Sequence, residues 1–383
     1  MRIVFVSNFF NHHQAPLADC LYSLCNGDYV FIETTEVPES RKKVGFPIIE
    51  RPYLLKEWKS YEERERALEL CLDADVLVCS SELMTLHYKK ERLRKRKITF
   101  EYSERPLKRG FLNFFSKTNL VNQFYYHTLF YNKPFFKLCA GAYVANDQYA
   151  MHSFIGKCYK FGYFLQTKEI DIDKHLKRNI IKTKILWCSR FIELKHPEMV
   201  IKLAKRLRDV GADVEINMIG DGPMFSKIDE LLKREELNSI VHLMGSLPNE
   251  LVLKEMSEHH IFLFTSNKIE GWGAVINEAM ANGCCVVSSD AVGSVPFLIK
   301  DGLNGRLFKS CDNDSLFDCV RDLIEHPYKQ INMVREAYHT ITHIWSPNNA
   351  ALNFLQLCDD LVNGRKCSVN DGPCSLAHPV SNY

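Results

Sequence analysis

The chain has 383 residues, of which 46% are hydrophobic and 25% charged, and its formal net charge is +2. These are globular values, and the near-neutral charge argues against a nucleic-acid binder. The length exceeds one ordinary core, so two domains are predicted. Since no run approaches the roughly 20 apolar residues of a membrane span, and the N-terminal run is too short for a signal peptide, we expect a cytoplasmic, soluble or peripheral protein.

Fourteen cysteines are present, without a C-x-x-C motif or a metal-type spacing with histidine. Several of them, such as Cys79, Cys188 and Cys284, fall inside apolar runs. The pattern favours small buried thiols in a reducing compartment over a disulfide framework. We expect neither a metal nor a cofactor.

In the first half, short apolar runs alternate with helix-like segments, which is typical of parallel sheets with helices on both faces. A charged helix is predicted over Glu57–Leu72, between the second and third strands. The predicted strands are Ile3–Ser7, Tyr29–Glu33, Val76–Cys79, Ile98–Tyr102 and Tyr143–Asn146.

The second half repeats this alternation. Pro197–Asp209 is predicted to be a helix, with proline at its start and Gly211 past its end. The predicted strands are Lys184–Cys188, Val214–Ile219, Val241–Met244, Ile261–Thr265 and Val286–Ser289. The two sets predict an α/β protein of two doubly wound, Rossmann-like domains facing a cleft, with bounds of 1–175 and 183–345.

The C-terminal segment has two parts. A helical pattern runs over Asn348–Val362, within the segment 346–364. Beyond Gly364, residues 365–383 are rich in Ser, Asn, Pro and Gly, and this composition predicts a disordered tail.

A glycine-rich stretch with two carboxylates, Glu270–Glu278, lies between a predicted strand and a predicted helix. Glycines before a helix leave its first N–H groups accessible, and that end carries partial positive charge. Carboxylates only accept hydrogen bonds, so a pair of them suits sugar hydroxyls. Taken alone the E-x7-E spacing is also compatible with a surface loop and two solvated glutamates.

The surrounding residues, roughly 183–310, resemble the C-terminal half of the family-4 retaining glycosyltransferases, which have the GT-B fold. The resemblance includes Ser189-Arg190-Phe191, Lys195-His196-Pro197-Glu198, Gly220-Asp221-Gly222-Pro223 and Asn277–Gly283. It implies a nucleotide diphosphate sugar donor, a glycan or lipid-linked acceptor and chemistry without a metal. It also implies that the last helix crosses back to the N-terminal domain. The broader chain resembles bacterial surface-polysaccharide glycosyltransferases.

The donor site is predicted at the carboxyl ends of strands in the second half, where open α/β sheets bind ligands. Arg190 and Lys195 lie on a loop that we expect to be exposed, and they suit a diphosphate; a solvated basic loop is the alternative. Gly220 and Gly222 form a turn near the nucleotide. The resemblance implies that Glu270 and the N–H groups of Gly271, Trp272 and Gly273 position the sugar, and that Glu278 holds the ribose.

On the acceptor side the first strand is followed by His12 and His13 rather than by a glycine-rich loop. A histidine can donate to phosphate or sugar hydroxyls, or simply belong to a loop that caps the next helix, and His13 is our candidate. After the strand Ile98–Tyr102, the resemblance places a polar group beside the scissile bond. Glu104 and Arg105 are nearest and Glu104 is our candidate; a structural ion pair is the alternative, and His127 lies further along.

A basic run, Lys89–Lys97, precedes a stretch rich in aromatic residues. Such a run is usually a solvated helix face, but basic residues near aromatic ones also suit an anionic membrane surface.

Two other kinds of function remain open: a nucleotide-sugar epimerase of the same fold, or a non-catalytic protein that binds a nucleotide sugar or glycan. A phosphorylase would need a pyridoxal-phosphate lysine, and none is identified.

Overall fold

The computed structural model describes residues 1–39, 48–177 and 182–380, without the side chains of Met84 and His127. These residues form two compact units, Met1–Gln166 with Ile344–Tyr383, and Thr167–His343. Each unit contains one parallel sheet with helices, so the predicted α/β class with two doubly wound sheets is confirmed.

The first unit has a seven-stranded sheet with the order β3-β2-β1-β4-β5-β6-β7. The order reverses beside β1, which pairs in parallel with both β2 and β4, so the sheet is doubly wound. Its strands are β1 Ile3–Ser7, β2 Tyr29–Glu33, β3 Leu54–Lys56, β4 Val76–Ser80, β5 Ile98–Ser103, β6 Phe135–Ala140 and β7 Cys158–Phe161. Its helices are α1 Ala15–Leu24, α2 Tyr61–Asp73, α3 Leu86–Arg94, α4 Lys117–Phe124 and α5 Tyr143–Ala150, and the last helix of the chain also belongs to it.

The prediction of a strand over Tyr143–Asn146 is wrong, because these residues begin helix α5. The strand lies earlier, at β6, and the chain turns at Gly141, whose φ of 115° is easily reached by glycine. Three apolar residues in a row are too few for a period that separates a strand from a buried helix, and here the helix is buried through Tyr143, Val144 and Ala145.

The C-terminal helix, Pro347–Val362, packs against α1 within the first unit. The prediction of a disordered tail is wrong for residues 365–380. Cys374 and Ser375 are buried, Lys160 of β7 exchanges backbone hydrogen bonds with both, and Leu376 forms an antiparallel bridge with Tyr159. β7 is the edge of its sheet, so these hydrogen bonds satisfy backbone groups that would otherwise need water. Residues 381–383 lie outside the described residues.

The second unit has a six-stranded sheet with the order β10-β9-β8-β11-β12-β13. The order reverses between β8 and β11, where ligands of doubly wound sheets bind. Its strands are β8 Thr183–Cys188, β9 Val214–Ile219, β10 Val241–Gly245, β11 Ile261–Phe264, β12 Cys285–Ser289 and β13 Arg306–Phe308. Its helices are α6 Ile172–Leu176, α7 Pro197–Asp209, α8 Phe225–Arg234, α9 Asn249–Glu258, α10 Val275–Ala281, α11 Val295–Leu298, α12 Asn313–Glu325 and α13 Pro327–His339; α14 is Pro347–Val362 of the first unit.

The basic run is not a single exposed face. Lys89 and Arg92 of α3 are buried, and the Arg92 guanidinium donates to the backbone oxygens of Cys71, Ala74, Asp75 and Ile98. Both interpretations of the run, a solvated helix face and a membrane surface, are therefore wrong for Lys89 and Arg92, whose charges are paired inside the first unit. Arg94, Lys95 and Arg96 are exposed.

All fourteen cysteines are free thiols and nine of them are buried, including Cys79 and Cys284, so the prediction of small core residues is confirmed for these nine. Cys188, which was also predicted to be buried, is half-buried. Within the described chain, no helix has both the length and the apolar character needed to cross a membrane.

Candidate functional site

The loops that follow β8 and β11 carry most of the predicted donor residues. The two strands pair in parallel, with Ile185 opposite Ile261, so both loops leave the same edge of the sheet. Arg190 and Lys195 lie on the first loop and Glu270 on the second, while Glu278 lies on α10 directly beyond. The structure thus brings together, at the reversal of strand order, residues that are up to 88 positions apart in the sequence.

Lys195 and Glu270 form an ion pair between the two loops. The Lys195 side chain also lies over the Phe264 ring, with its ammonium 4.8 Å from the ring centroid, and it is buried. The Lys195 carbonyl accepts a 2.6 Å hydrogen bond from the Thr265 hydroxyl, which in turn accepts one from the buried Trp187 indole. The loop is therefore anchored in the core, and the expectation of exposure is wrong for Lys195.

Arg190 has a different environment. Its side chain is exposed, and no residue in the described part of the chain forms an ion pair or hydrogen bond with its guanidinium. A free planar fork of N–H donors suits an incoming diphosphate. Arg190 is thus the available cation of this site, whereas Lys195 already has a carboxylate partner.

Gly220 and Gly222 allow the loop after β9 to pack against the loop after β8. A Cβ on Gly220 would lie 1.9 Å from the Ser189 carbonyl oxygen, and one on Gly222 would lie 2.7 Å from the Phe191 carbonyl oxygen. Their φ angles, +132° and +152°, are also rare for other residues. The contact is completed by the Phe191 N–H, which donates to the Asp221 carbonyl. Both glycines therefore shape the site through backbone packing.

Trp272 does not present its side chain to a ligand. The side chain is buried, and the indole N–H donates a 3.0 Å hydrogen bond to Asn277 Oδ1 on α10. The tryptophan thus ties the glycine turn to the helix that follows. A donor contact through its side chain is excluded by this burial, and the predicted role falls to the backbone N–H groups of the turn.

The Glu278 carboxyl is only partly exposed, and burial raises its pKa to about 7. No described residue donates a hydrogen bond to this carboxylate. Its charge also raises the pKa of the neighbouring Cys188 thiol, after burial as the larger cause. A desolvated carboxylate without a protein partner is suited to ligand hydroxyls, and perturbed pKa values of this kind concentrate at functional sites.

A pocket of about 1020 Å³ beside these loops has a polar wall that the sequence did not assign to a role. His196 Nδ1 lies 2.9 Å from Glu198 Oε1, and its Nε2 lies 2.9 Å from the side-chain nitrogen of Asn267. His196 adopts a left-handed conformation with φ of 48°, and its ring reaches Asn267 on the second loop. The signal available in the sequence was the Lys195–Glu198 motif itself, in which only the lysine received a role.

The acceptor-side candidates meet in the first unit through Tyr163. The His13 ring stacks on Tyr163 with centroids 5.5 Å apart, and the Tyr163 hydroxyl donates a 3.0 Å hydrogen bond to Glu104. Burial, and then the nearby His12, lower the pKa of His13 to about 4, so that ring is neutral at physiological pH. The sequence predicted the two ends of this arrangement and missed Tyr163, which no motif indicates.

Arg105 has the structural role that was the alternative for this segment. It forms a buried ion pair with Asp147, at 2.9 Å, while the half-buried Glu104 accepts from Lys108. The side chain of His127 lies outside the described residues. No group of three or more His, Cys, Asp or Glu in the described chain could hold a metal ion.

Two doubly wound parallel sheets, with the last helix returned to the first unit, define the GT-B class of glycosyltransferase folds. The crystal structure of Anabaena Alr3699/HepE in complex with UDP has the same fold, with a TM-score of 0.67 at 14% identity over 93% of this chain and 99% of that one. The same protein in complex with UDP-glucose gives a TM-score of 0.62, at 14% identity and the same coverage.

Residues 169–340 match the family described as Glycosyl transferases group 1. The phosphatidylinositol N-acetylglucosaminyltransferase GPI3 subunit of Saccharomyces cerevisiae (strain YJM789) is 24% identical over 159 residues, 42% of this chain and 33% of that protein. The amylovoran biosynthesis glycosyltransferase AmsK of Erwinia amylovora is 30% identical over 138 residues, 35% of this chain and 34% of that protein. The chain thus spans about a third of the length of these curated relatives.

Proposed function

We propose that this protein is a retaining, metal-independent glycosyltransferase of polysaccharide biosynthesis. It transfers a sugar from a nucleotide diphosphate sugar to a glycan or lipid-linked acceptor. The observation that carries the proposal is the grouping of Arg190, Lys195, Glu270 and Glu278 at the strand-order reversal of a group 1 glycosyltransferase domain. The UDP and UDP-glucose complexes of Alr3699/HepE and the name of AmsK support the donor class and the pathway.

In this proposal the donor diphosphate binds to Arg190 and draws Lys195 away from Glu270. The lysine then shares its charge with the leaving diphosphate, which gains negative charge as the sugar bond breaks. Glu270, released from its partner, accepts hydrogen bonds from sugar hydroxyls beside the N–H groups of Gly271 and Gly273. Glu278 accepts the hydroxyls of the ribose. The existing ion pair therefore holds both groups in place until the donor arrives.

The acceptor hydroxyl attacks from the face that the nucleotide leaves, and the departing phosphate oxygen takes its proton, so the anomeric configuration is retained. On the acceptor side the neutral His13 ring and Glu104, joined through Tyr163, supply hydrogen-bond acceptors for hydroxyl groups. The route places no metal in any step, and EDTA is accordingly expected to leave turnover unchanged.

Calorimetry with UDP, GDP and ADP, followed by turnover of the matching nucleotide sugars, tests the proposal. We expect one nucleotide to bind and its sugar to be transferred to a glycan acceptor with retention, read by NMR of the product. Binding of none of them would contradict it. Conversion of the donor sugar without an acceptor would indicate the epimerase, and binding without any turnover would indicate the non-catalytic protein.

We further propose that the protein works in the cytoplasm, at the inner face of a membrane. Contact with anionic lipid would fall on Arg94, Lys95 and Arg96 and on the exposed apolar side chains of 111–124, including Phe111 and Leu112. Replacing the three cations by serine should abolish salt-sensitive flotation with anionic vesicles while nucleotide affinity is kept. A wild type that ignores vesicles at every salt concentration would rule this out.

A further inference from the structure

The first unit contains a second polar pocket, of about 330 Å³, near the carboxyl ends of β4 and β5. Ligands of parallel sheets bind at this edge. We call it the Lys137 pocket; the lining residues used below are Glu101, Lys137, Asn119, Asn122 and Gln123.

The charges at this pocket do not balance within the protein. Glu101, Lys89 and Lys137 are all at most 1% exposed, and Glu101 accepts from Lys89 at 2.6 Å and from Lys137 at 2.7 Å. The Tyr126 hydroxyl donates to the same carboxylate. Burial raises the pKa of Glu101, but the two lysines outweigh it and hold that pKa at about 2. The cluster therefore holds two cations against one carboxylate.

The neighbouring carboxylates already have partners. Asp147 pairs with Arg105, and Glu104 pairs with Lys108. In the described chain, the only hydrogen-bond acceptor of the Lys137 ammonium is Glu101, although an ammonium has three donors. Two buried cations that share one carboxylate are incompletely compensated, and an anion is the chemistry that would complete the pairing. Lys137 lines the pocket, whereas Lys89 does not. An anion in the pocket would therefore bind to the Lys137 ammonium.

The wall of the pocket is built from side-chain amides in fixed orientations. The amide nitrogen of Asn119 donates to the Asn113 carbonyl, that of Asn122 to the Ser81 carbonyl and that of Gln123 to the Met151 carbonyl. No described residue donates to the three amide oxygens. Oxygens that only accept hydrogen bonds suit hydroxyl groups, so the wall fits a polyhydroxylated ligand.

We propose that the Lys137 pocket binds an acidic sugar of the acceptor, a residue that bears a carboxylate or a phosphate, with the anionic group against Lys137 and the hydroxyls on the amide wall. This inference rests on the proposed function, because it assigns the pocket to the acceptor. It predicts that the acceptor glycan is anionic, a property that the donor site does not determine.

The test compares methyl α-D-glucuronide, glucose 6-phosphate, the neutral methyl α-D-glucoside and inorganic phosphate, by ligand-observed NMR and calorimetry on the full chain. We expect at least one acidic sugar to bind about tenfold or more tightly than the glucoside, as for one charge-assisted hydrogen bond. The carboxylate and phosphate arms identify which anion the pocket takes. If the glucoside binds as tightly as the acidic sugars, the proposal is overturned. It is also overturned if inorganic phosphate binds as tightly as both acidic sugars, because the sugar hydroxyls then contribute nothing. Neither result requires a variant.

Lys137→Met and Lys89→Met form a matched pair, since each removes one buried cation and leaves a neutral ion pair with Glu101. Both should therefore fold, with a melting temperature at or above that of the wild type. Lys137→Met should abolish the preference for the acidic sugar, because it removes the ammonium that meets the anion. Lys89→Met also removes the excess charge but leaves that ammonium in the pocket, so it should weaken the preference only in part. Equal loss in both variants, or no loss in Lys137→Met, would refute the assignment of the site.

Nucleotide affinity separates this inference from the proposed function. A protein that binds nucleotide and turns over its sugar, yet shows no preference for acidic sugars, would overturn the inference alone. One that binds acidic sugars but no nucleotide would contradict the proposed function and, with it, the acceptor role of the pocket.

Discussion

The raised pKa of Glu278 should make the free energy of unfolding depend on pH. Burial raises this pKa from an ordinary value of 4.5 to about 7. The folded protein therefore binds the proton more tightly than the unfolded chain, so stability is lost as the pH rises from about 4.5 through about 7. A shift of this size lowers the free energy of unfolding by about 3 kcal/mol between pH values below about 4.5 and above about 7.

Glu278→Gln removes this titration while keeping the size of the side chain. We expect the variant to equal the wild type in free energy of unfolding at pH 4.5 and to exceed it by up to about 3 kcal/mol at pH 8. Urea unfolding of both proteins at both pH values measures this double difference, in which the titration of other groups, including His13, cancels. The variant should also bind nucleotide more weakly, so stability and affinity should move in opposite directions.

Glu270→Gln serves as the matched control, because its carboxylate is paired with Lys195. Removing it leaves a buried lysine without a counterion, so this variant should be less stable than the wild type at both pH values. A pH-independent difference between Glu278→Gln and the wild type would refute the assignment of the raised pKa to desolvation of Glu278.

Three further predictions concern the same unit. Arg190→Ala and Lys195→Ala should each weaken nucleotide binding by about 1.5–3 kcal/mol in calorimetry, but only Lys195→Ala should lower the melting temperature; unchanged affinity in both would remove the diphosphate role. Glu270→Gln should spare free nucleotide and impair turnover of the sugar donor, and equal loss of both would contradict the division of roles. Gly220→Ala should cost at least about 3 kcal/mol of stability, because the added Cβ would meet a backbone oxygen. The control Gly211→Ala, at φ +71° in open space, should cost only about 1 kcal/mol. Similar midpoints of the two variants in thermal unfolding would contradict the packing role of Gly220.

The sequence by itself determined the features that local chemistry controls. The strand β9 and the helix α7 have their predicted bounds, Val214–Ile219 and Pro197–Asp209. In β9 apolar residues alternate with polar ones, and α7 has a proline start and a glycine stop, so each signal lies within one segment. The order of these elements gave the fold class. The sequence also indicated that Glu270 and Glu278 lie around the start of a helix, since the glycines between them mark that turn.

Only the tertiary structure decided which charges are buried and what they contact. Lys195 and Glu270, 75 positions apart, form an ion pair because β8 and β11 are neighbours. Lys89 is buried on Glu101, although its sequence neighbours suggested a solvated face. The reason is the same in each case: the partner that stabilises or neutralises a side chain is distant in the sequence, and no local pattern specifies it.

The C-terminal tail and the helix at Tyr143 follow the same rule. The segment 365–383 has a composition that predicts disorder, yet the edge of β7 supplies hydrogen-bond partners for the backbone of residues 374–377. The apolar run at Tyr143 has too few residues for its period to be read, and packing selects the helix. Local propensity determines structure where a segment is long and periodic, whereas for short or polar segments the free energy of contacts with the rest of the chain decides.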